Sequence, residues 1–219
     1  MAGVVERLAR LDVCAVSDAL DALGLPSSVS DIFRQSGIGA LAGRVMTVQL
    51  AVGPAPAGQP KVHLGATAIT RADAETVIIV AHPGIDAGGW GGVLSNAAQE
   101  AGVRGVIVDG PTRDIDEAKA LSFPIFARRT TARTARGRVY EVATGEAISV
   151  ADTEIHAGDY VLADGSGIAF IPAGQIEDVL AAAEKIAAKE AAMTADIRAG
   201  VKVTEVMGRN YEDMLGELK

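Results

Sequence analysis

The segment of residues 105–114, GVIVDGPTRD, decides the fold that this sequence predicts. Its apolar first half is typical of a buried strand, and the Asp-Gly-Pro at residues 109–111 predicts a tight turn. Arg113 and Asp114 follow that turn directly. Because ligands gather at the carboxyl ends of parallel strands in α/β proteins, we expect both side chains to contact a ligand.

Strand and helix patterns alternate on both sides of this segment. Residues 74–84, AETVIIVAHPG, form a continuous apolar run, which is typical of a strand that is buried on both faces. The predicted elements that follow are a glycine-rich loop at 85–92, a helix at 93–102, a strand at 103–110, a helix at 114–123 and a strand at 124–131. This order predicts parallel strands joined by right-handed crossovers.

The remaining segments complete an α/β chain that we predict to be one domain over residues 1–219. Apolar residues at helical spacing near the N-terminus predict two helices, the second capped by Ser17 and Asp18 and ending at residues 24–26. A strand is predicted at 41–53 and a loop at 54–60. Residues 137–172 predict short antiparallel or barrel-like strands, with turns at 157–159 and 164–165. An alanine-rich helix at 173–200 begins a C-terminal helical extension, 173–219.

Composition argues against several classes of protein. The net charge of −8 disfavours nucleic acid and anionic membranes as partners. The chain has one cysteine, Cys14, which excludes an internal disulfide framework and indicates a reducing compartment. No apolar run approaches the roughly 18 residues of a membrane span. We therefore expect a cytoplasmic protein that binds neither nucleic acid nor membrane.

The glycine-rich loop and the Arg-Asp pair are the main candidates for a site. Backbone N–H groups at the start of the helix after the loop would form an anion site, although a simple tight turn is an equally good interpretation of the glycines. Arg113 could hold a carboxylate with two hydrogen bonds, and Asp114 could bind a hard cation such as Mg²⁺. The alternative is an exposed ion pair, or an Asp114 that only caps the following helix.

Two further features are weaker candidates. His82 lies between a buried strand and the glycine-rich loop and could enter the site. The basic segment at residues 127–138 could bind an acidic part of a substrate or form ion pairs between subunits, but in an acidic protein a solvated segment is the simpler interpretation.

Several segments resemble one family. Residues 89–131, with the Asp-Gly-x-x-Arg-Asp string at 109–114, are similar to the core of the 4-hydroxy-4-methyl-2-oxoglutarate aldolases. The same RraA-like family contains the regulator of ribonuclease activity A. Three shorter stretches agree: VSDALDALG (16–24), LAGRVMTV (41–48) and AGDYVLADGSGIAFIP (157–172). The resemblance covers most of the chain.

The resemblance implies a fold and an activity. The fold would be a layered α/β fold with a central β-sandwich or barrel-like sheet flanked by helices, assembled as homotrimers or hexamers with sites between subunits. The activity would be that of a lyase, an aldolase or decarboxylase that needs Mg²⁺ or Mn²⁺ and cleaves a small 2-oxo acid to give pyruvate enolate. The alternative is a non-catalytic regulator of an RNA-processing enzyme. A third activity, methyl transfer to a quinone, has no support, because no cofactor-binding glycine motif is present.

The resemblance also implies roles for individual residues. Arg113 would grip the pyruvyl group, and Asp114 would be the direct metal ligand. Glu190 would reach the metal through water from a neighbouring subunit. The amides of the loop and helix start would hold the substrate carboxylate; these belong to Gly91, Gly92, Val93 and Leu94.

One position departs from the aldolase pattern. Aldolases of the family carry an aspartate in the glycine loop, with twenty residues between it and the arginine, and the matching residue here is Gly92. That aspartate orients the water that handles the proton of the enolate carbon. The nearest replacements along the chain are Asp86 and His82, which are therefore candidate catalytic residues. The hypothesis is that Gly92 leaves the proton relay weak and that Gly92→Asp strengthens it.

Overall fold

A computed structural model describes residues 3–26, 28–58 and 63–208 of the chain. Its helices are α1 (Val4–Leu8), α2 (Val13–Ala22), α3 (Ala66–Arg71), α4 (Gly92–Glu100), α5 (Ile115–Ala120), α6 (Ile176–Arg198) and α7 (Val203–Val206). Its strands are β1 (Phe33–Ser36), β2 (Leu41–Val52), β3 (Thr76–Ala81), β4 (Gly105–Thr112), β5 (Ile125–Thr130), β6 (Val139–Thr144), β7 (Ile148–Val150), β8 (Thr153–Ile155), β9 (Tyr160–Ala163) and β10 (Ile168–Ile171).

Eight of these strands form one mixed sheet in the order β1-β5-β4-β3-β2-β9-β10, with β6 paired to β2. The neighbours β3, β4 and β5 are parallel, as the alternating pattern predicts, and β2 is also parallel to β3. The long strand β2 has two partners on its other side, because Leu41–Arg44 pair with β9 and Val48–Val52 pair with β6. The short strands β9 and β10 are antiparallel, also as predicted.

The curled sheet separates two layers of core. On β3, Val77 and Ile79 face an inner core that the hairpin β7–β8 covers, whereas Ile78 and Val80 face the outer helices. Helices α3, α4 and α5 pack on one part of the outer face, and α1, α2 and α6 pack on the part formed by β9 and β10. The predicted fold class, a layered α/β fold with a central β-sandwich or barrel-like sheet flanked by helices, is confirmed, and the sheet is a curled half-barrel.

The structure corrects some local predictions. The cap of α2 is Asp12, whose carboxylate accepts the N–H of Ala15 at 2.8 Å, so the predicted cap at Ser17 and Asp18 was wrong and both residues lie inside the helix. The sequence analysis missed β1 and α3, which are too short to show a clear periodicity. Residues 59 and 60 of the predicted loop, and residues 209–219 of the predicted C-terminal extension, lie outside the described residues.

The long C-terminal helix is present as predicted, with small differences at its start. A short 3-10 turn at Ala173–Gln175 precedes α6. The buried face of α6 packs on α1 and α2 through residues such as Val179, Leu180 and Ala183. No helix in the described part of the chain is long and apolar enough to cross a membrane.

Candidate functional site

The site is built where β3 and β4 end next to each other. The segment between β3 and α4, residues 82–91, is here called the glycine loop. Two backbone hydrogen bonds attach it to the end of β4: Gly89 N–H donates to the Pro111 carbonyl at 2.9 Å, and Arg113 N–H donates to the Trp90 carbonyl at 3.1 Å. The loop therefore lies directly against Arg113 and Asp114.

The glycines of the loop make this close approach possible. A Cβ atom on Gly91 would lie 2.8 Å from Asp114 Oδ2, and one on Gly88 would lie 3.1 Å from Arg113 Cδ. Both distances are shorter than ordinary contacts between these atoms. The tight-turn interpretation of the glycines is thus incomplete, because they also bring backbone beside two charged side chains.

A cavity of about 250 Å³ opens at this place. The glycine loop and the first turn of α4 form one wall, and residues 134–136 form part of a second wall. Every residue predicted to bind substrate lines the cavity, together with the predicted metal ligand; these are Gly91, Gly92, Val93, Leu94, Arg113 and Asp114.

Asp114 has a left-handed backbone conformation, with φ 59° and ψ 39°. Its Oδ2 accepts the N–H of Gly92 at 2.9 Å, and its Oδ1 accepts Nε–H of Arg113 at 3.2 Å. The side chain forms no capping hydrogen bond to α5, so the alternative in which Asp114 only caps that helix is wrong. The Arg113–Asp114 ion pair of the other alternative is present, and it faces the cavity.

The start of α4 offers free N–H groups to the same cavity. Ser95 N–H donates to the Gly91 carbonyl at 3.0 Å as the first bond of the helix, and Gly92 N–H is taken by Asp114. The N–H groups of Val93 and Leu94 have no acceptor among the described residues, as expected in the first turn of a helix. Such groups attract anions.

Glu117 is a residue of the site that the sequence analysis missed. Its Oε1 accepts Nδ2–H of Asn96 on α4 at 2.7 Å. Its Oε2 occupies the space where a Cβ atom on Gly92 would lie. A carboxylate from α5 thus fills the place that a side chain at position 92 would take. The available signal was the Asp114–Glu117 spacing of three residues, which puts both on one side of a helix start.

His82 lies behind the glycine loop rather than in the cavity. It is 9% exposed, and a Cβ on Gly110 or Gly89 would come within 2.6 Å or 2.9 Å of its ring. Its Nδ1 accepts the N–H of Gly84 at 3.1 Å, and its Nε2 is buried without a partner in the described residues. Burial lowers the pKa of His82, so the ring is neutral at physiological pH.

Asp86 lies outside the cavity and contacts the basic segment. Its Oδ1 accepts Nη1–H of Arg129 and the hydroxyl of Thr131, both at 2.8 Å, and its Oδ2 is 3.1 Å from Nε of Arg133. The hydrogen bond from Arg129, followed by that from Thr131, lowers the pKa of Asp86. The structure does not bring Asp86 or His82 together with Arg113 and Asp114.

Glu190 is half-buried on α6 and does not line the cavity of its own subunit. Burial raises the pKa of Glu190, and the negative charges of Asp12 and Asp18 add to the effect.

Asp114 and Glu117 are the residues that could hold a metal ion. Among the described residues, no three His, Cys, Asp or Glu side chains are grouped closely enough to form a metal site on their own. Two carboxylates do flank Gly92, one on its N–H and one at its Cβ position. Mg²⁺ is commonly bound by one or two carboxylates and keeps several waters. The donor set therefore fits a hydrated divalent cation and does not fit a dehydrated ion held only by protein.

The chain is similar to several known proteins. Residues 13–170 match the RraA-like family described as Aldolase/RraA. A Halalkalibacterium halodurans protein, provisionally named 4-hydroxy-4-methyl-2-oxoglutarate aldolase, is 32% identical over 174 residues, which are 78% of this chain and 77% of that protein. Protein DlpA of Legionella pneumophila is 26% identical over 181 residues, covering 82% of this chain, but the matched part is only 29% of DlpA.

A solved structure with the same fold comes from Streptomyces coelicolor. It is RraAS2, described as an unusual member of the RNase ES inhibitor RraA protein family. It superposes with a TM-score of 0.76 at 21% sequence identity and covers 85% of this chain and 93% of its own. At that identity the likeness establishes the fold alone.

Proposed function

Because this chain belongs to the RraA-like family, which includes aldolases and ribonuclease regulators, we propose that it is a lyase that cleaves a carbon–carbon bond of a 2-oxo acid with the help of Mg²⁺ or Mn²⁺. One observation carries the proposal. Asp114 and Glu117 flank Gly92, Asp114 accepts a hydrogen bond from Arg113, and Arg113 and Asp114 line a small cavity together with the start of α4.

The site is suited to an anionic substrate of small size. The N–H groups of Val93 and Leu94 would donate hydrogen bonds to a carboxylate at the start of α4. Nε of Arg113 is held by Asp114, which leaves its two Nη groups to bind the carboxylate and keto oxygens of the pyruvyl part. Arg136 lines the same cavity and forms no ion pair with a described residue, so a second positive charge faces the substrate.

Asp114 and Glu117 would hold the divalent cation, which as a Lewis acid would stabilise the electron pair released by bond cleavage. The residues of the chain do the rest. Arg113 orients the pyruvyl group so that the bond to be broken points into the cavity, between the glycine loop and residues 134–136. The bond between C3 and C4 breaks and its electron pair stays on the pyruvyl side. In an aldol substrate the C4 hydroxyl loses its proton to water as the new carbonyl forms, whereas in oxaloacetate the C4 carboxylate leaves as carbon dioxide. A proton from water is then added to C3 to give pyruvate. The other product is a carbonyl compound, or carbon dioxide from oxaloacetate.

The proton step needs a group near Gly92. We propose that Glu117 orients the water for this step, because its carboxylate occupies the position of a side chain at residue 92. His82 is less suited, since its ring is buried behind the loop. Asp86 is less suited because arginines and a threonine already occupy both of its oxygens.

The proposal is tested with the full chain and a panel of 2-oxo acids, with Mg²⁺ or with EDTA. Two readouts are used: release of pyruvate, and exchange of the methyl protons of pyruvate with deuterium, which needs enolisation but no second substrate group. We expect both reactions with Mg²⁺ and neither with EDTA. If no 2-oxo acid reacts and pyruvate does not exchange, the lyase proposal is wrong, and binding of the chain to a purified RNA-processing ribonuclease would assign it to the regulatory branch.

We further propose that the protein works as a homotrimer or hexamer, with Glu190 contributing to the site of a neighbouring subunit. The support is that Glu190 does not line its own cavity while its pKa is raised by burial and by neighbouring acids. Light scattering at micromolar concentration tests the assembly, and a monomer would contradict it.

A further inference from the structure

The carboxylate of Asp86 connects the two walls of the cavity. Asp86 belongs to the glycine loop, whose later residues form one wall. Its three partners, Arg129, Thr131 and Arg133, lie on the chain that leads to the second wall, at residues 134–136. One exposed carboxylate thus bridges two segments that are far apart in the sequence and that both continue into the lining of the cavity.

The wall at residues 131–136 is attached differently at its two ends. At its far end Ala135 packs on the outer core, and its carbonyl accepts the N–H groups of Arg138 and Val139 at 2.8 and 3.0 Å. β5 ends at Thr130, and no regular secondary structure follows until the turn before β6. Thr131 N–H donates to the Thr112 carbonyl at 2.8 Å, and the Arg133 carbonyl accepts Gly88 N–H at 3.0 Å. Beyond Arg133 the chain lines the cavity at residues 134–136. The Gly88–Arg133 hydrogen bond and the contacts of Asp86 are therefore what attach the near end of this wall to the glycine loop.

We propose that Asp86 is a positioning residue that holds residues 131–136 against the glycine loop and thereby sets the width of the substrate cavity. Its effect on catalysis rests on the proposed lyase function, whereas its effect on the wall does not. This role differs from the proton relay that the sequence suggested for Asp86. A relay must reach the reacting carbon, but Asp86 lies outside the cavity and both of its oxygens already have donors.

The two roles predict opposite kinetics. Loss of a proton relay lowers kcat by about 10²–10⁴-fold and leaves substrate binding intact. Loss of an anchor loosens one wall, so KM rises while the chemistry at Arg113 and Asp114 continues. Since the ion pairs are exposed, each is worth little, and we expect Asp86→Asn to raise KM about three- to tenfold with kcat changed less than about twofold. Asp86→Glu keeps the negative charge, and we expect it to restore most of the substrate binding that Asp86→Asn loses.

A second readout does not require turnover. Hydrogen exchange is measured by mass spectrometry on peptides that contain Gly88 and residues 131–138. We expect both to exchange about three- to tenfold faster in Asp86→Asn, because Gly88 N–H is released more often from the Arg133 carbonyl and Thr131 N–H more often from the Thr112 carbonyl. Since salt screens exposed ion pairs, the KM of the wild type in 1 M salt should approach that of Asp86→Asn. The KM of the variant itself should change less with salt.

Asp73 is a matched control. Its carboxylate accepts hydrogen bonds from Arg44 and Thr76, as Asp86 does from Arg129 and Thr131, but it does not lie at the cavity. Asp73→Asn should leave KM and the exchange of the two peptides unchanged. The double variant Asp86→Asn/Arg133→Gln should have a KM no higher than that of Asp86→Asn alone.

The outcomes separate this inference from the proposed function. Unchanged exchange in Asp86→Asn overturns the anchor, whatever the kinetics. A large fall in kcat at constant KM would establish the relay instead. If the wild type has no lyase activity but Asp86→Asn speeds exchange, the anchor stands and only the proposed function fails.

Discussion

The carboxylates at the ends of β3 and β4 and those between α2 and α6 have opposite surroundings. At the strand ends, Asp86 is bound by arginines that lower its pKa, and Asp114 accepts hydrogen bonds from Gly92 and Arg113. Between α2 and α6, burial raises the pKa of Asp18 and of Glu190, and neighbouring acids raise both further. Neither Asp18 nor Glu190 forms an ion pair with a described residue.

The difference indicates which part of the site one chain can complete alone. The strand-end carboxylates find their donors within the chain, so they are already oriented for a ligand. The α2–α6 carboxylates remain uncompensated in a single subunit, which is the arrangement expected if a cation or a donor comes from outside. This supports the proposal that Glu190 serves a neighbour, and each prediction below tests one side of the comparison.

The largest effect is expected at Asp114. Asp114→Asn keeps the size of the side chain but removes the charge that would bind the cation, and Lewis-acid stabilisation is worth several kcal/mol. We therefore expect turnover with Mg²⁺ to fall by about 10³-fold or more. Asp116→Asn, an exposed acid two residues further on in α5, is the control and should keep wild-type activity. If Asp114→Asn keeps substantial activity, Asp114 is not the metal ligand, and the interpretation of Asp114 as half of a surface ion pair remains.

The next effect concerns Gly92 and Glu117. A side chain at position 92 would overlap the Glu117 carboxylate, so Gly92→Asp alone should lower oxaloacetate decarboxylation, contrary to the gain that the sequence suggested. Glu117→Ala should lower activity and Mn²⁺ affinity by about 10–100-fold. The double variant Gly92→Asp/Glu117→Ala moves the carboxylate from α5 to α4 and should recover most of the loss.

The measurements are decarboxylation rates and Mn²⁺ titrations of the same four proteins, wild type included. Glu117→Gln, which keeps the volume and the hydrogen bond to Asn96, separates charge from packing. A higher rate in Gly92→Asp alone would mean that Glu117 does not replace the missing aspartate.

The sequence predicts part of the candidate site, and the structure shows why it does not predict the rest. Arg113 and Asp114 were found because the end of an apolar strand is set by local pattern. The tight turn predicted at residues 109–111 was wrong, because β4 continues to Thr112 with only a register shift between Val108 and Pro111 against β5. Glu117 was not found because its contact with Gly92 depends on how α4 packs against α5. His82 was expected near the site, yet the close approach of Gly89 and Gly110 buries its ring, and this depends on the pairing of β3 with β4. Local patterns thus located the site, while packing between elements decided which side chains reach it.

A moderate effect is expected at Arg136, which lines the cavity without an acidic partner in the described residues. Arg136→Gln should raise KM about five- to tenfold for a 2-oxo acid that carries a second carboxylate, since a partly exposed charge contact is worth about 1 kcal/mol. The rate of methyl exchange in pyruvate, which lacks that group, should not change. Arg138→Gln is the control, because Arg138 lies on the same segment but does not line the cavity. If Arg136→Gln affected the dicarboxylic 2-oxo acid and pyruvate equally, Arg136 would stabilise the wall of the cavity and would not bind the second carboxylate.

The smallest effect tests the other side of the comparison, at Glu190. A carboxyl group whose folded pKa is raised contributes stability below its unfolded pKa and loses it as the pH rises through the folded pKa. Ionised Glu190 therefore destabilises the subunit at neutral pH, and Glu190→Gln should raise Tm at pH 7.5 in EDTA by about 1 °C, with no difference below pH 4.

Glu184 on the same helix is the opposite case, since its ion pair with Arg7 lowers its pKa. Its contribution is present above the unfolded pKa and is lost as the pH falls, so Glu184→Gln should lower Tm at pH 7.5. Calorimetry of the three proteins at both pH values gives the comparison. If Glu190→Gln instead lowers Tm at pH 7.5 without metal, the carboxylate already has a cationic partner in the assembled protein, and its role as a free donor to a neighbouring metal site is wrong.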